Sequence, residues 1–337
     1  MPFAEPPRRA QRLQRSELAV PATSDAFFAK AAASAVDALF LDLEDAVADD
    51  QKELARTKAV GALNTIDWRN KTVSVRVNGL DTVWGQRDIL EVASQCPRLD
   101  MILLPKASCA FDVQFVAQLL TGIEREQRRD KRIGIEVLIE TSQGVAHAEE
   151  IAGASERLEA MIFGVGDYTV DMRTYDTVFG TPSGKYAMLD NPDGAGTRAR
   201  HLNDQWHFAL ARVANACRAY GLRAIDGPYA DFGDRDGYRA AAIRATALGF
   251  EGKWAIHPSQ IDMANEVFSP DAAQIEWAHD ILALLRQSAD AGKGAFGAKG
   301  VLIDLAHGKL ARSILEREAF IAATQSPASA KPASAAT

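Results

Sequence analysis

Seven apolar runs that each finish in polar residues recur along this chain, most of them roughly thirty residues apart. They are residues 38–44, closing on Glu44; 72–78, carrying Arg76 and Asn78; 100–106, closing on Lys106; and 133–140, closing on Glu140. The remaining three are 161–167, closing on Asp167; 223–226, closing on Asp226; and 254–257, closing on His257. Helical periodicity occupies 49–64, 84–95, 109–128, 143–152, 204–220, 235–248 and 259–267. Alternation of this kind predicts a parallel sheet with helical crossovers. With Leu18–Ala22 as a first strand and Ser24 as the N-cap of a helix through Ser34, the count reaches eight strands, each followed by a helix. The expected fold class is α/β, a (β/α)8 TIM barrel with a C-terminal helical extension. In such a barrel the strand ends converge on one mouth, where catalytic residues collect.

The length suits this reading, because 337 residues hold one barrel of roughly 250 residues plus decorations. Residues 1–14, rich in Pro and Arg, read as a flexible arm, and 15–270 as the catalytic barrel. Residues 271–323 read as a helical extension that acts as a lid or oligomerisation element. The Ala/Ser/Pro-rich tail 324–337 cannot build a core and is expected to be disordered. Within the barrel, the interval between Asp167 and Asp226 is about twice an ordinary unit. Its excess, 168–203, carries Gly180, Pro182, Gly184, Pro192, Gly194 and Gly196. Long insertions of this sort are often functional, and this one is expected to bind or cover substrate.

Charge and cysteine content remove several function classes. A net charge of -7 argues against broad nucleic-acid binding, which needs a basic face. The basic stretches Arg8-Arg9 and Arg125 to Arg132 read as solvated surface. Cys96, Cys109 and Cys217 form neither a disulfide framework nor a CxxC metal pair, so each reads as a reduced thiol. No long apolar segment suits a bilayer, and no apolar stretch follows the N-terminal arginines, so a cytoplasmic location and no membrane partner are expected.

At the mouth, Glu140 and Asp167 end consecutive parallel strands, whose chains lie about 4.8 Å apart. Two carboxylates that close repel unless a cation or proton lies between them. A hard divalent ion such as Mg2+, with Mn2+ as its substitute, resolves the conflict through oxygen ligands; a carboxylate network with Arg or Lys partners is the alternative. Arg76 alternates with Val73, Val75 and Val77 and so faces away from them. Its planar fork matches a carboxylate bidentately, or else forms a structural pair inside the barrel. Asp42, Glu44 and Asp45 make an acidic cluster in which one residue fixes Arg76 or Lys106 and another caps a helix. Lys106 contacts substrate or pairs with Glu44. His257 is an acid/base group or a structural histidine.

Taken in order, LDLEDAV, VSVRVNGLD, ILLPK, VLIETSQGVAHAEEIA, GVGDYT, AIDGPYADFGD, GFEGKWAIHPSQI and GVLID resemble the citrate lyase β-subunit-like (HpcH/HpaI aldolase) superfamily. Within it, the malyl-CoA/β-methylmalyl-CoA lyase branch is most similar. The resemblance implies a Mg2+-dependent carbon–carbon lyase with Mg2+ on Glu140 and Asp167 and the oxo-acid arginine at Arg76. It also implies an acid/base aspartate at Asp304 acting across a subunit interface in a homotrimer or homohexamer. A CoA thioester is then the substrate, with Arg15, Lys30 and the Ile256-His257-Pro258 segment as contacts, and Glu44, Asp45, Lys106 and His257 as supporting residues. The implied reaction is reversible retro-Claisen cleavage of malyl-CoA, β-methylmalyl-CoA or citramalyl-CoA to an acyl-CoA and glyoxylate or pyruvate. The rivals are a CoA-independent 2-oxo-acid aldolase, a citryl-CoA lyase, a malyl-CoA thioesterase, and a non-catalytic acyl-CoA-binding assembly subunit. The chain departs from many relatives at the first strand, where Leu18-Ala-Val-Pro-Ala22 stands in place of Phe-x-Pro-Gly.

Overall fold

A computed structural model describes residues 9–290, 296–298 and 301–325. The chain divides into two compact units, residues 1–265 and 266–337. In the first, β1 (Ser16–Pro21) leads to α1 (Asp25–Ala33), β2 (Ala38–Asp42) to α2 (Lys52–Thr65), and β3 (Thr72–Arg76) to α3 (Gly85–Gln95). Next come β4 (Met101–Leu104), α4 (Ala110–Gln127) and β5 (Gly134–Ile139), then the short helices α5 (Ser142–Ala146) and α6 (Ala148–Ala152) and strand β6 (Leu158–Phe163). After α7 (Val165–Asp171), two short strands, β7 (Ala187–Leu189) and β8 (Arg200–Leu202), pair antiparallel as a hairpin. The regular alternation resumes with α8 (His207–Tyr220), β9 (Arg223–Asp226), α9 (Arg235–Ala247), β10 (Gly252–Ala255) and α10 (Ile261–Val267). β1, β10, β9, β6, β5, β4, β3 and β2 close, in that order, into a parallel barrel. The (β/α)8 expectation holds.

Alternation along each strand divides the barrel wall. Val73 and Val75 lie on one side of β3, with Ser74 and Arg76 on the other. The inward side chains form an apolar belt of Phe40, Leu103, Leu138, Ile162, Ile225 and Trp254, with the Phe40 and Trp254 rings 4.5 Å apart. Beneath it, alternate strands contribute polar groups, Glu17, Ser74, Glu136 and Arg223, as barrel layering allows. Ser74 Oγ donates to Glu136 at 2.6 Å and Trp254 Nε1 to Glu17 at 2.8 Å. Gln14 Nε2 donates to both carboxyls at 3.0 Å, and its Oε1 accepts from Arg223 Nε at 2.8 Å.

Residues 9–14 therefore depart from the flexible-arm reading. Arg12 pairs with Glu159 at 2.6 Å, Leu13 and Gln14 are buried, and Arg9 donates to the carbonyls of Tyr220 and Ser155. Their partners lie at the N-terminal ends of the strands, so tertiary pairing supplies the order that local periodicity lacks. Residues 1–8 lie outside the described residues, as do 326–337 of the expected tail. The basic stretch after α4 is only partly solvated: Arg129 donates to the carbonyls of Ala93, Cys96, Pro97 and Leu99, while Lys131 pairs with Asp100. The expected helix 143–152 breaks at His147, whose Nδ1 lies 3.0 Å from the Ser108 carbonyl. Burial pushes the Cys96 and Cys217 thiols up to about 12, as inert core thiols require.

The long insertion has structure of its own. Ala230 donates its backbone N–H to the Phe179 carbonyl at 3.0 Å. Beside it, Gly180 has φ +92°, and a Cβ there would meet the Pro228 carbonyl at 2.8 Å. The second unit contains α11 (Ala272–Asp290), a hairpin of β11 (Phe296–Ala298) and β12 (Val301–Ile303), and α12 (Leu305–Gln325). Its core joins Ala278, Ile281, Ile303 and Ala311.

Burial first, and then the Glu136 charge, hold the Glu17 carboxyl well above the usual carboxylate range. A raised folded pKa means that the native state keeps this proton where the unfolded chain has lost it. Stability from this site is thus fully present below the ordinary glutamate range and declines as pH rises above it. Glu17→Gln is expected to have a higher urea midpoint than the wild type at pH 8, with the gap closing toward pH 5. A gap independent of pH would contradict the assignment.

Candidate active site

β2 and β3 run in parallel with Asp42 registered beside Arg76, and this pairing organises one side of the mouth. Arg76 Nε donates to Asp42 Oδ1 at 2.7 Å and Nη2 to Oδ2 at 2.6 Å. The guanidinium lies over the Phe40 and Trp254 rings, 5.6 and 5.8 Å from their centroids, a favourable place for a cation. Burial would lower the Arg76 pKa, but Asp42, Glu44 and Glu140 outweigh it and raise it. The bidentate partner expected to be an incoming anion is, within the chain, Asp42. Nη1 remains at the acidic loop, 3.0 Å from Glu44 Oε2 and 3.5 Å from Asp45 Oδ2.

The acidic cluster divides its work. Asp42 Oδ1 also accepts the Glu44 backbone N–H at 2.9 Å, while Glu44 Oε1 accepts from Lys106 Nζ. Lys52, buried at the start of α2, donates to the Leu43 and Glu44 carbonyls at 3.1 and 2.8 Å and anchors this segment. Burial raises the Glu44 pKa; Arg76 opposes that shift and Asp45 adds to it. Asp45 is exposed. Alternation places Asp42 and Glu44 on one face, but which of them takes the arginine depends on register between strands.

Glu140 follows β5 directly. Asp167, expected at a strand end, lies instead in the first turn of α7, because β6 stops at Phe163. Between the two carboxylates and the acidic cluster stands Lys106. Its backbone has a left-handed φ of +52°, uncommon for a side chain of this size, and its N–H donates to Glu140 Oε1 at 2.9 Å. Its Nζ lies 3.4 Å from Asp167 Oδ2 and 3.7 Å from Asp45 Oδ1. Burial, followed by the charges of Glu44 and Asp167, pushes the Glu140 carboxyl up to about 8. Gly164 gives this carboxyl its room, since a Cβ there would lie 2.5 Å from Glu140 Cβ and Oε2.

These residues fit a hard divalent cation. Asp167 Oδ2 and Glu44 Oε2 are buried oxygens that accept no hydrogen bond, and the mouth sets five carboxylates (Asp42, Glu44, Asp45, Glu140, Asp167) against Arg76 and Lys106. Among the described residues no group of three or more His, Cys, Asp or Glu is arranged around a metal position. The set matches an ion held by one or two carboxylates, with water and ligand oxygens completing its shell, and not a zinc centre.

Beside β1 and β10 lies a groove of about 650 Å³ whose lining includes Val20, Phe27, Lys30, Ile256, His257 and Pro258. It unites four of the five expected coenzyme contacts. Arg15 is the exception: it precedes β1 at the opposite end of the strand, is buried, and chelates Asp37 at 2.8 and 2.9 Å. His257 is exposed and stacks on Phe232 at 4.9 Å; its Nδ1 accepts the Ser259 backbone N–H at 3.2 Å and so caps the following turn. Two other strand-end groups serve packing. Asp226 binds the buried Lys253 at 2.7 Å, and Asn78 donates to Asp88 at 2.6 Å. In the second unit Asp304 is the N-cap of α12, accepting N–H groups of Ala306 and His307 at 2.9 and 3.3 Å and lying 2.8 Å from His307 Nδ1. The hydrogen bond from His307 holds its pKa below the usual range. The spacing D-L-A-H was the available signal for this cap.

The sequence profile of the HpcH/HpaI aldolase/citrate lyase family matches residues 15–258. The chain belongs to this family. An L-malyl-CoA/β-methylmalyl-CoA lyase of Rhodobacter capsulatus is 44% identical over 318 residues, covering 94% of this chain and 98% of that one. A malyl-CoA/β-methylmalyl-CoA/citramalyl-CoA lyase of Chloroflexus aurantiacus is 35% identical over 292 residues, covering 86% and 83%. Among solved structures, protein CitE of Mycobacterium tuberculosis, in complex with magnesium, acetoacetate and coenzyme A, superposes with a TM-score of 0.69 at 27% identity, covering 91% and 98%. The segment matched by the HpcH/HpaI family profile spans every barrel strand and includes Asp42, Arg76, Lys106, Glu140 and Asp167.

Gly164→Ala is expected to cost about 1–3 kcal/mol of stability, as overpacking does, and to displace Glu140. Urea unfolding reads the first effect and calorimetric titration with Mg2+ the second. Unchanged values of both would show that the cradle is not tight.

Proposed function

We propose that this chain is a carbon–carbon lyase that cleaves a carboxylate-bearing 3-hydroxyacyl-CoA reversibly into an acyl-CoA and a 2-oxo acid. Malyl-CoA, β-methylmalyl-CoA and citramalyl-CoA are the substrate class, and glyoxylate or pyruvate the oxo-acid product. The observation that carries this reading is the buried Glu140, pushed up to about 8 beside Glu44 and Asp167, within the same mouth as a buried arginine. Such a site favours a divalent cation, which stabilises the charged carboxylate that burial disfavours, and it offers an oxo acid both a cation and a hydrogen-bond donor.

Glu140 and Asp167 would hold the ion. When bound, Mg2+ supplies Lewis-acid polarisation of the hydroxyl and carboxylate oxygens of the malyl portion. Arg76 binds the same portion and offsets its negative charge while the C–C bond breaks. The hydroxyl releases its proton to water as the C–O bond becomes a carbonyl, the bonding pair of the broken C–C bond becomes the enolate of the acyl-CoA, and one proton taken from water through Asp304 restores the balance. Asp304 protonates the α-carbon of that enolate, or removes a proton from it in the condensing direction. Following the family pattern, Asp304 acts from a neighbouring copy in a homotrimer or homohexamer. The groove carrying Lys30, Ile256, His257 and Pro258 suits the coenzyme, with Lys30 for its phosphates. No helix among the described residues is long and apolar enough to cross a membrane, and a cytoplasmic location accords with the small-molecule partners.

Purified protein is expected to release free acyl-CoA and a 2-oxo acid from malyl-, β-methylmalyl- or citramalyl-CoA with Mg2+, and to stop in EDTA. Indifference to EDTA would remove the metal from the reading, and free malate in place of glyoxylate would make the protein a thioesterase. Asp304→Ala is expected to lower turnover by about 100-fold or more while Mg2+ binding by calorimetry is retained; near-normal turnover would refute its acid/base role.

A further inference from the structure

Arg76 can meet a ligand in two ways, side-on through Nε and Nη2 or end-on through Nη1 and Nη2. The side-on edge is taken by Asp42, at 2.7 and 2.6 Å, in the interior of the barrel wall. The register that sets Asp42 beside Arg76 belongs to a continuous parallel ladder, so this pairing is built into the backbone. Asp42 Oδ1 also accepts the Glu44 N–H at 2.9 Å, tying the acidic loop to the same carboxylate. On the other side of the guanidinium stand Glu44 Oε2, 3.0 Å from Nη1 and without a hydrogen bond, and Asp45 at 3.5 Å. Both compete for the arginine. The two bonds to Asp42, at 2.7 and 2.6 Å, are the tighter hold on the guanidinium.

Resting on the lyase reading above, we propose that Asp42 is the positioning residue that commits Arg76 to end-on recognition of the carboxylate of the 2-oxo acid. Asp42 acts through Arg76: it holds the side-on edge, so that an incoming carboxylate meets Nη1 and Nη2 and displaces Glu44 and Asp45, the weaker partners there. Glu44 Oε1 is held by Lys106, while its Oε2 lies 3.0 Å from Nη1 without a hydrogen bond, so the end-on edge of Arg76 is the more weakly held cationic surface for a small carboxylate. The pairing also restricts geometry: an acid that requires side-on chelation would have to displace Asp42 from a buried pair, which is costly.

Asp42→Asn retains shape and one acceptor while losing the charge and the second acceptor for Nη2. Asp42→Glu retains the charge with a longer reach. For wild type and both variants, the KM for glyoxylate is measured in the condensing direction at saturating acyl-CoA and Mg2+. Dissociation constants for oxalate on the Mg2+-loaded protein and for Mg2+ itself come from calorimetry. Asp42→Asn is expected to raise both the glyoxylate KM and the oxalate constant at least tenfold, with the Mg2+ constant within threefold of wild type. Asp42→Glu should fall between the two. A purely structural Asp42 would lower the melting temperature and the active fraction but leave KM and the oxalate constant of the folded protein unchanged. That result overturns the proposal, and should Asp42→Asn not fold, an unchanged KM in Asp42→Glu does so equally. Wild-type protein that neither turns over nor binds oxalate overturns the lyase reading and this proposal with it, whereas an active wild type with unaffected variants overturns only the role of Asp42.

Discussion

Closing eight parallel strands into a barrel places the inward side chains out of water, so each polar group there must find its partner on another strand. This constraint accounts for most of the chain's chemistry. Below the apolar belt the partners are Glu17, Ser74, Glu136 and Arg223, bridged by Gln14 from the segment preceding β1. Above it Asp42 takes Arg76, and Lys106 takes Glu44. The two ends differ in how completely they are satisfied. Among the described residues the lower end leaves one buried carboxylate oxygen without a hydrogen bond, Glu17 Oε1, whereas the mouth leaves two, Glu44 Oε2 and Asp167 Oδ2.

That imbalance has a physical consequence. A carboxyl held at about 8 makes the mouth receptive to a divalent cation near neutral pH, because an ion lying beside it stabilises the charged form that burial disfavours. Lys106 moderates the same charges from the outside of the cluster, with its N–H on Glu140 and its ammonium among Glu44, Asp45 and Asp167. Its left-handed backbone lets one residue address both groups. The glycine at 164 serves the same end by subtraction, leaving the volume that the Glu140 carboxyl occupies.

The barrel was largely legible in the chain because its signal is local: period-two alternation, apolar runs, and helical stretches between them. Arg76, Lys106 and Glu140 were legible for the same reason, standing at or just past the ends of such runs. Asp167 was found by type but displaced in position, since Gly164-Val165-Gly166 begins α7 instead of extending β6. Arg15, a coenzyme contact by family resemblance, and Asp226, a strand-end acid by local reading, both find partners inside the chain. One sits before its strand and binds Asp37; the other ends its strand and binds Lys253 on the neighbouring strand. Nothing in the spacing separates these from a residue facing a ligand. The order of residues 9–14 escaped the pattern as well, since much of it comes from groups more than 80 residues away in sequence, such as Asp100 and Glu159.

By itself the sequence determined the alternation of strands and helices, the acidic and basic residues at the strand ends, and the motifs of the HpcH/HpaI aldolase/citrate lyase family. The first two are properties of composition and periodicity and the third is a resemblance of motifs; none needs knowledge of distant neighbours. Tertiary structure decided which of the adjacent acids holds the arginine, which strand-end groups serve packing, and how strongly Glu140 resists ionisation. Each of those depends on register between strands and on exclusion of water, and both arise only when the barrel closes.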